Sequence, residues 1–211
     1  AHHASPAVLA MAAFAWQLYA LALARRRALP AGVVLGLSWL VLWLGATWGE
    51  VIPAVLVALL LPVFSSWRRG GYMTALLVAA VISLPLGLLW PVYLHQHAPE
   101  AFALWWGGQS LGSYVGMGAP RFFHQPGYLY SIAAWFAFPV LPLAGWTLWL
   151  NRSRLDGSRW QLLLVQLSVI LVWLVLAGDP TEVQALLLLV PLALLCWLGM
   201  NNLKTVTPQA G

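Results

Sequence analysis

The chain consists mainly of long apolar stretches separated by short polar connections. A membrane-spanning helix needs about 20 apolar residues, because the hydrocarbon core of a bilayer is about 30 Å thick. Only Gly49 and Glu50 separate the second stretch from the third, so these two form either a tight helical hairpin or one broken element. The pattern predicts an all-α, polytopic membrane bundle of about seven transmembrane helices in a single domain, 1–211. The predicted spans lie near 6–24, 30–48, 51–66, 73–94, 127–150, 160–177 and 183–200.

Composition supports the same class. The chain is 62% hydrophobic and 7% charged, whereas a soluble domain carries roughly 25% charged residues. This excludes a water-soluble enzyme and a disordered chain. The net charge of +5 is spread along the sequence, so no nucleic-acid partner is expected. The single cysteine, Cys196, lies in an apolar run, which excludes a disulfide framework and a thiolate metal site.

Positive charges orient the predicted spans. If the seven predicted spans cross the membrane in alternating directions, every Lys and Arg except Arg121 falls on one face. That face is therefore expected to be cytoplasmic. The N-terminus is then extracytoplasmic and the C-terminus cytoplasmic. We interpret the basic face as a topology signal and expect any chemistry on the outer face, where Glu50 and all five histidines fall. The residues on the basic face are Arg25, Arg26, Arg27, Arg68, Arg69, Arg152, Arg154, Arg159 and Lys204.

The outer segment 95–126 is longer than a compact bundle requires for a connection. After Pro99-Glu100, the i, i+3, i+4 spacing of Phe102, Trp105 and Trp106 predicts a short helix over 99–106 in the headgroup layer. The rest of the segment combines glycines and aromatic residues with one cation, Arg121. One interpretation is a pocket for an amphiphile with an anionic headgroup. The competing one is an aromatic belt with a snorkelling arginine.

Two further polar features have competing interpretations. Glu50 lies between two apolar stretches, so it is either functional or a cap for the hairpin at the water interface. His95-x-His97 has the composition of a metal site, but an isolated pair at an interface is more typical of polar interfacial residues, and we predict no metal ligands. The sequence contains no catalytic triad, phosphate-binding loop or zinc signature.

Residues 90–150 contain a series of aromatic and proline motifs. In chain order these are Trp90-Pro91-Val92-Tyr93, Ala98-Pro99-Glu100-Ala101-Phe102, Trp105-Trp106 and His124-x-Pro126-x-Tyr128-x-Tyr130. Their order resembles the second half of the bacterial GT-C membrane glycosyltransferases, of the protein mannosyltransferase and aminoarabinose transferase group. Less specific similarities lie upstream, at 45–53, and downstream, at 179–191.

The resemblance implies a glycosyltransferase in the bacterial inner membrane. Such an enzyme transfers a sugar from a polyprenyl-phosphate carrier to an acceptor on the extracytoplasmic face. It implies Arg121 and His124 near the donor phosphate, with Tyr114 and Gln109 lining the pocket and Glu50 at its mouth. No cofactor is certain, and a divalent metal ion is left open.

The sequence also departs from the family pattern. The family's acidic base belongs to a segment before Ala1. Trp48 replaces its hairpin lysine, and Gln109-Ser110 replaces its Glu-His pair. The chain is then either part of a longer transferase or a catalytically degenerate subunit. As a subunit it would have a structural or lipid-binding role in a larger membrane complex, with other membrane proteins as partners. An unrelated transporter or channel is less well supported, because no predicted span buries a charged residue and no repeat is found.

Overall fold

The chain is helical wherever its structure is described. The computed structural model describes residues 6–45, 48–109, 140–152, 157–176 and 186–206, and within these ranges it contains no strand, which confirms the all-α class. Two 3-10 turns, Leu61–Val63 and Ser65–Trp67, follow the third helix. The α-helices are α1 Pro6–Ala24, α2 Ala28–Gly45, α3 Trp48–Leu60, α4 Gly70–His97, α5 Pro99–Gln109, α6 Val140–Leu150, α7 Ser158–Leu176 and α8 Leu189–Val206.

Helix positions follow the hydropathy pattern closely. Helix α1 has the predicted limits, and α2, α4 and α7 agree with theirs within a few residues. Helix α8 lies about six residues C-terminal to the predicted span, and only the last part of the predicted span 127–150 falls within the described residues, as α6. Among the described residues, three helices (α2, α4 and α7) are long and apolar enough to cross a membrane, by length and composition.

The outer face of α4 is apolar. Leu77, Val81, Leu84 and Leu88 are 67%, 71%, 62% and 56% exposed, and their spacing of three or four residues places them on one side of the helix. An apolar stripe over three turns is unfavourable in water but suits a lipid environment. The burial pattern therefore supports a membrane protein independently of hydropathy.

Helices α2 and α4 run parallel and pack closely through small residues. Gly32 and Gly36 of α2 face the backbone of Ala75 and Ala79 in α4. A Cβ atom on Gly32 would lie 2.6 Å from the Cβ of Val78 and 2.7 Å from the carbonyl oxygen of Ala75. Small residues four apart on both helices let the backbones approach, as is typical of helix pairs in membranes.

At two of the prolines that remove a helical donor, an aromatic side chain supplies a replacement. Pro91 has no N–H to give to Gly87, whose carbonyl accepts a hydrogen bond of 2.9 Å from Trp43 Nε1 instead. Likewise Pro62 leaves the carbonyl of Ala58 without its i+4 donor, and the Tyr72 hydroxyl donates to it at 2.7 Å. These bonds tie α2 to α4 and α3 to α4.

Pro62 also sets the end of α3. The predicted third span runs to residue 66, but the α-helix ends at Leu60 and the chain continues through the two 3-10 turns. By contrast, Pro191 is the third residue of α8. N–H groups in a first helical turn have no acceptor inside the helix, so this proline removes no helical bond.

Enlarging Gly32 should separate α2 from α4. We expect Gly32→Ala to lower the free energy of unfolding by about 1–2 kcal/mol, because overpacking exceeds the gain in helix propensity. Gly145→Ala is the matched control, since a Cβ atom there meets nothing within 4 Å. That variant should be neutral or slightly stabilising. Equal effects of both changes in a detergent or bicelle unfolding titration would contradict the close approach.

Removing the Tyr72 hydroxyl should leave the Ala58 carbonyl unpaired. We expect Tyr72→Phe to cost about 1–3 kcal/mol of unfolding free energy, because Tyr72 is fully buried. Tyr93→Phe is the control, since Tyr93 is mostly exposed, and it should change stability by less than about 0.5 kcal/mol. The interpretation fails if the two variants unfold alike.

Candidate functional site

The two ends of the bundle differ in charge. Helix α2 leads away from Arg25, α3 returns, and α4 leads away again from Arg69. Glu50 and His97 therefore lie at one end, which we name the Glu50 end. The other end, which we name the arginine end, has a cavity lined by Arg25, Arg26, Arg69 and Arg159. These four arginines thus meet at one end of the bundle, while the side of the membrane that this end faces stays a prediction.

The sequence-predicted pocket lies mostly outside the described residues. Arg121, His124 and Tyr114 belong to 110–139, which the structure does not describe. Gln109 is the last residue of α5. Of the five predicted residues, the structure gives the side-chain surroundings of Glu50 alone, so their predicted proximity stays a prediction.

Glu50 lies inside a helix and not in the connection before it. Helix α3 begins at Trp48, earlier than the predicted 51, so Glu50 falls in its first turn. The side chain is 5% exposed. This corrects the expectation that Glu50 lies in the hairpin connection. A carboxylate is favourable in a first turn, because the unpaired N–H groups and the helix dipole are positive there.

A second feature of the Glu50 end is the corner between α4 and α5. One residue, Ala98, separates the helices, and its N–H donates to Leu94 while its carbonyl accepts from Phe102. His97 donates from Nδ1 to the Tyr93 carbonyl at 3.0 Å and stacks on the Tyr93 ring. The helix over 99–106 predicted from the aromatic spacing is thus present as α5.

His95 and His97 do not converge. His95 meets the edge of the Phe102 ring, at 4.9 Å between centroids, whereas His97 turns back to Tyr93. Residues two apart on a helix point in different directions, which accounts for the separation. Within the described ranges, no group of three or more His, Cys, Asp or Glu side chains could hold a metal ion.

The arginine end holds a cavity of about 530 Å³. Besides the four arginines, Tyr19, Leu23 and Leu162 line it, together with Trp67 and Ser158. A smaller cavity of about 140 Å³ adjoins it and shares Arg25, Trp67 and Arg69. The cavity combines a charged rim with an aromatic and aliphatic wall.

Arg25 is the most constrained of these arginines. Its guanidinium donates to the hydroxyl of Ser158 at the start of α7 and lies 5.6 Å from the ring centroid of Trp67. Burial lowers the pKa of Arg25, and the like charges of Arg69, Arg159 and Arg26 lower it further. The side chain therefore joins the end of α1 to the second 3-10 turn and to α7, at a cost in electrostatic repulsion.

Buried and hydrogen-bonded side chains form the wall behind Arg25. Trp67 is 1% exposed and packs edge-on against Tyr72, with 5.5 Å between ring centroids. The Ser66 hydroxyl donates to Gln161 Oε1 at 2.5 Å, which fixes the second 3-10 turn to α7. The Arg68 guanidinium donates instead to the carbonyls of Pro62 and Val63, in the first 3-10 turn after α3.

Sequence reasoning missed this cavity, because it interpreted the basic face as a topology signal and little else. A usable signal was present: arginines follow α1, precede α4 and begin α7, and Trp67 lies beside one of these groups. Basic residues at three helix ends on the same face must meet if those helices pack together.

Comparison with models of protein families, with curated proteins and with solved structures finds no match to the chain. The site must therefore be interpreted from its own residues.

Proposed function

We propose that the chain is a GT-C-like integral membrane glycosyltransferase, or part of one. In this proposal it transfers a sugar from a polyprenyl-phosphate carrier to an acceptor at the Glu50 end. The membrane is the bacterial inner membrane, crossed about seven times. The arginine end is cytoplasmic, with the N-terminus outside and the C-terminus inside.

The observation that carries the proposal is the corner at Ala98. A long apolar helix, α4, passes through one residue into the short helix α5, at the end of the bundle where Glu50 is buried. The resemblance places the donor-binding loop directly after this corner, with Arg121 and His124 at the phosphate, Tyr114 and Gln109 in the pocket wall, and Glu50 at its mouth.

Polyprenyl-phosphate chemistry requires two kinds of group. Cations must stabilise charge on the leaving phosphate, and a carboxylate must accept the proton of the acceptor hydroxyl. Arg121 supplies the first in this proposal. The base is assigned to no residue of this chain, and a divalent metal ion at the phosphate is compatible with the chemistry.

A second candidate is a catalytically degenerate subunit that binds lipid within a larger membrane complex. The residues that favour it are Trp48, Gln109 and Ser110, which stand where the resembled family has charged or titratable side chains. Losing such groups at several matched positions removes catalysis while leaving the helical scaffold.

The donor-pocket assignment predicts different roles for two arginines on opposite faces. Arg121→Ala should weaken binding of a polyprenyl phosphate by about tenfold, because it removes a charge-assisted hydrogen bond to phosphate. Arg154→Ala should leave that affinity unchanged. Native mass spectrometry in mild detergent with added short-chain polyprenyl phosphate measures both.

Equal binding by the two variants would contradict the donor pocket. Sugar transfer from a polyprenyl-phosphate-linked donor, by the chain in its native membrane assembly, separates the two candidate functions. A transferase loses turnover in Arg121→Ala, whereas a subunit of the second kind binds the lipid and shows no turnover of its own.

A further inference from the structure

The cavity at the arginine end gathers positive charge from three separate segments. Arg25 and Arg26 follow α1, Arg69 precedes α4 and Arg159 is the second residue of α7. The side chains of Arg26, Arg69 and Arg159 are exposed, so their guanidinium groups are accessible to a ligand. The first turns of α4 and α7 also begin here, and helix N-termini add partial positive charge.

Nothing described in the cavity wall balances these charges. Among the described residues, no side chain that lines the cavity is acidic, and Asp156 lies in 153–156, outside these residues. The Arg25 Nε and Trp67 Nε1 atoms are buried without a hydrogen-bond acceptor among the described residues. Converging cations and unpaired donors favour an anionic ligand that brings several oxygen acceptors.

The shape of the cavity selects among anions. Tyr19 and Leu23 belong to the last turns of α1, and Leu162 to the second turn of α7, so the wall extends from the arginines along two apolar helices. Tyr19 is 61% exposed. A free phosphate would contact the charged rim alone, whereas an amphiphile would also cover this apolar wall.

We propose that this cavity binds a membrane lipid whose headgroup carries two negative charges, either one phosphomonoester or two phosphodiesters. Arg69 and Arg159 bind the phosphate oxygens through their guanidinium forks, and an acyl chain lies along Tyr19, Leu23 and Leu162. The site is separate from the donor pocket proposed above, because it lies at the opposite end of the bundle.

The arrangement suits an inner leaflet. Anionic lipids are concentrated at cytoplasmic membrane surfaces, and basic pockets between transmembrane helices on that side are suited to multiply charged headgroups. Arg25 contacts Ser158 and Trp67, so its role is to hold the cavity wall in place. The exposed guanidinium groups of Arg69 and Arg159 are the ones that bind the ligand.

The test is a lipid titration of the purified full chain, stripped of bound lipid in mild detergent. Thermal unfolding is followed as phosphatidic acid, phosphatidylglycerol, phosphatidylcholine or inorganic phosphate is added. We expect phosphatidic acid to raise the unfolding midpoint most, phosphatidylglycerol less, and phosphatidylcholine not at all. Inorganic phosphate should give only a small part of the effect, because it lacks the tail.

Charge-neutral variants then locate the site. Arg69→Gln and Arg159→Gln should each weaken phosphatidic acid binding by about tenfold. Arg152→Gln is the matched control: it removes the same charge, but Arg152 lies against Trp149 and outside the cavity wall. Without lipid, Arg69→Gln and Arg159→Gln should unfold at the wild-type temperature or above, because repulsion is relieved. This excludes misfolding as the cause of weaker binding.

Three results would overturn the proposal. Equal stabilisation by phosphatidic acid and phosphatidylcholine would show that the charge is not recognised. An equal loss in Arg152→Gln would show diffuse attraction to a basic surface. A full effect from inorganic phosphate alone would assign the cavity to a soluble phosphate and not to a lipid.

Discussion

A backbone carbonyl that loses its helical donor to proline has no partner in lipid, and at two such positions a donor from a neighbouring helix replaces it and ties α2 and α3 to α4. Pro62 and Pro91 each remove an N–H, and Tyr72 and Trp43 each supply a replacement from a neighbouring helix. A third bond, from Gln17 Nε2 to the Ala54 carbonyl at 2.8 Å, ties α1 to α3. Lipid offers no alternative partner for the two carbonyls that lack a helical donor, or for the Gln17 amide. The bonds therefore fix register where dispersion contacts between apolar helices would not.

The arginine end depends on that register. Trp67 and Tyr72 lie next to the end of α3, and Tyr72 is held by the carbonyl that Pro62 leaves unpaired. Their rings form the wall on which Arg25 lies, and Arg25 reaches across to α7. The donor that Pro62 lacks is thus linked, through the rings of Tyr72 and Trp67, to the position of the Arg25 guanidinium at the arginine end. The cavity therefore results from the hydrogen bonds that hold the helices in register.

Much of the helical framework could be predicted from the sequence, because in a membrane the length of an apolar stretch governs where helices lie. Helix α1 matched its predicted limits, and the aromatic spacing at Phe102 identified α5. Local chemistry explains the differences: Pro62 ends α3 early, and a start at Trp48 buries Glu50 in a first turn. The cavity could not be predicted from hydropathy, because it requires Arg25, Arg69 and Arg159, which are distant in sequence, to meet through tertiary packing. The donor pocket around Arg121 and His124 stays a prediction from resemblance.

The most direct test of this account is a double-mutant cycle between Trp43 and Pro91. Pro91→Ala restores an N–H that can donate to Gly87 within α4, so the indole is no longer needed there. Measured by unfolding titration in bicelles, Trp43→Phe should cost about 1–2 kcal/mol more in the wild-type chain than in the Pro91→Ala background. The same cost in both backgrounds would contradict the claim that the aromatic donor replaces the one that proline removes.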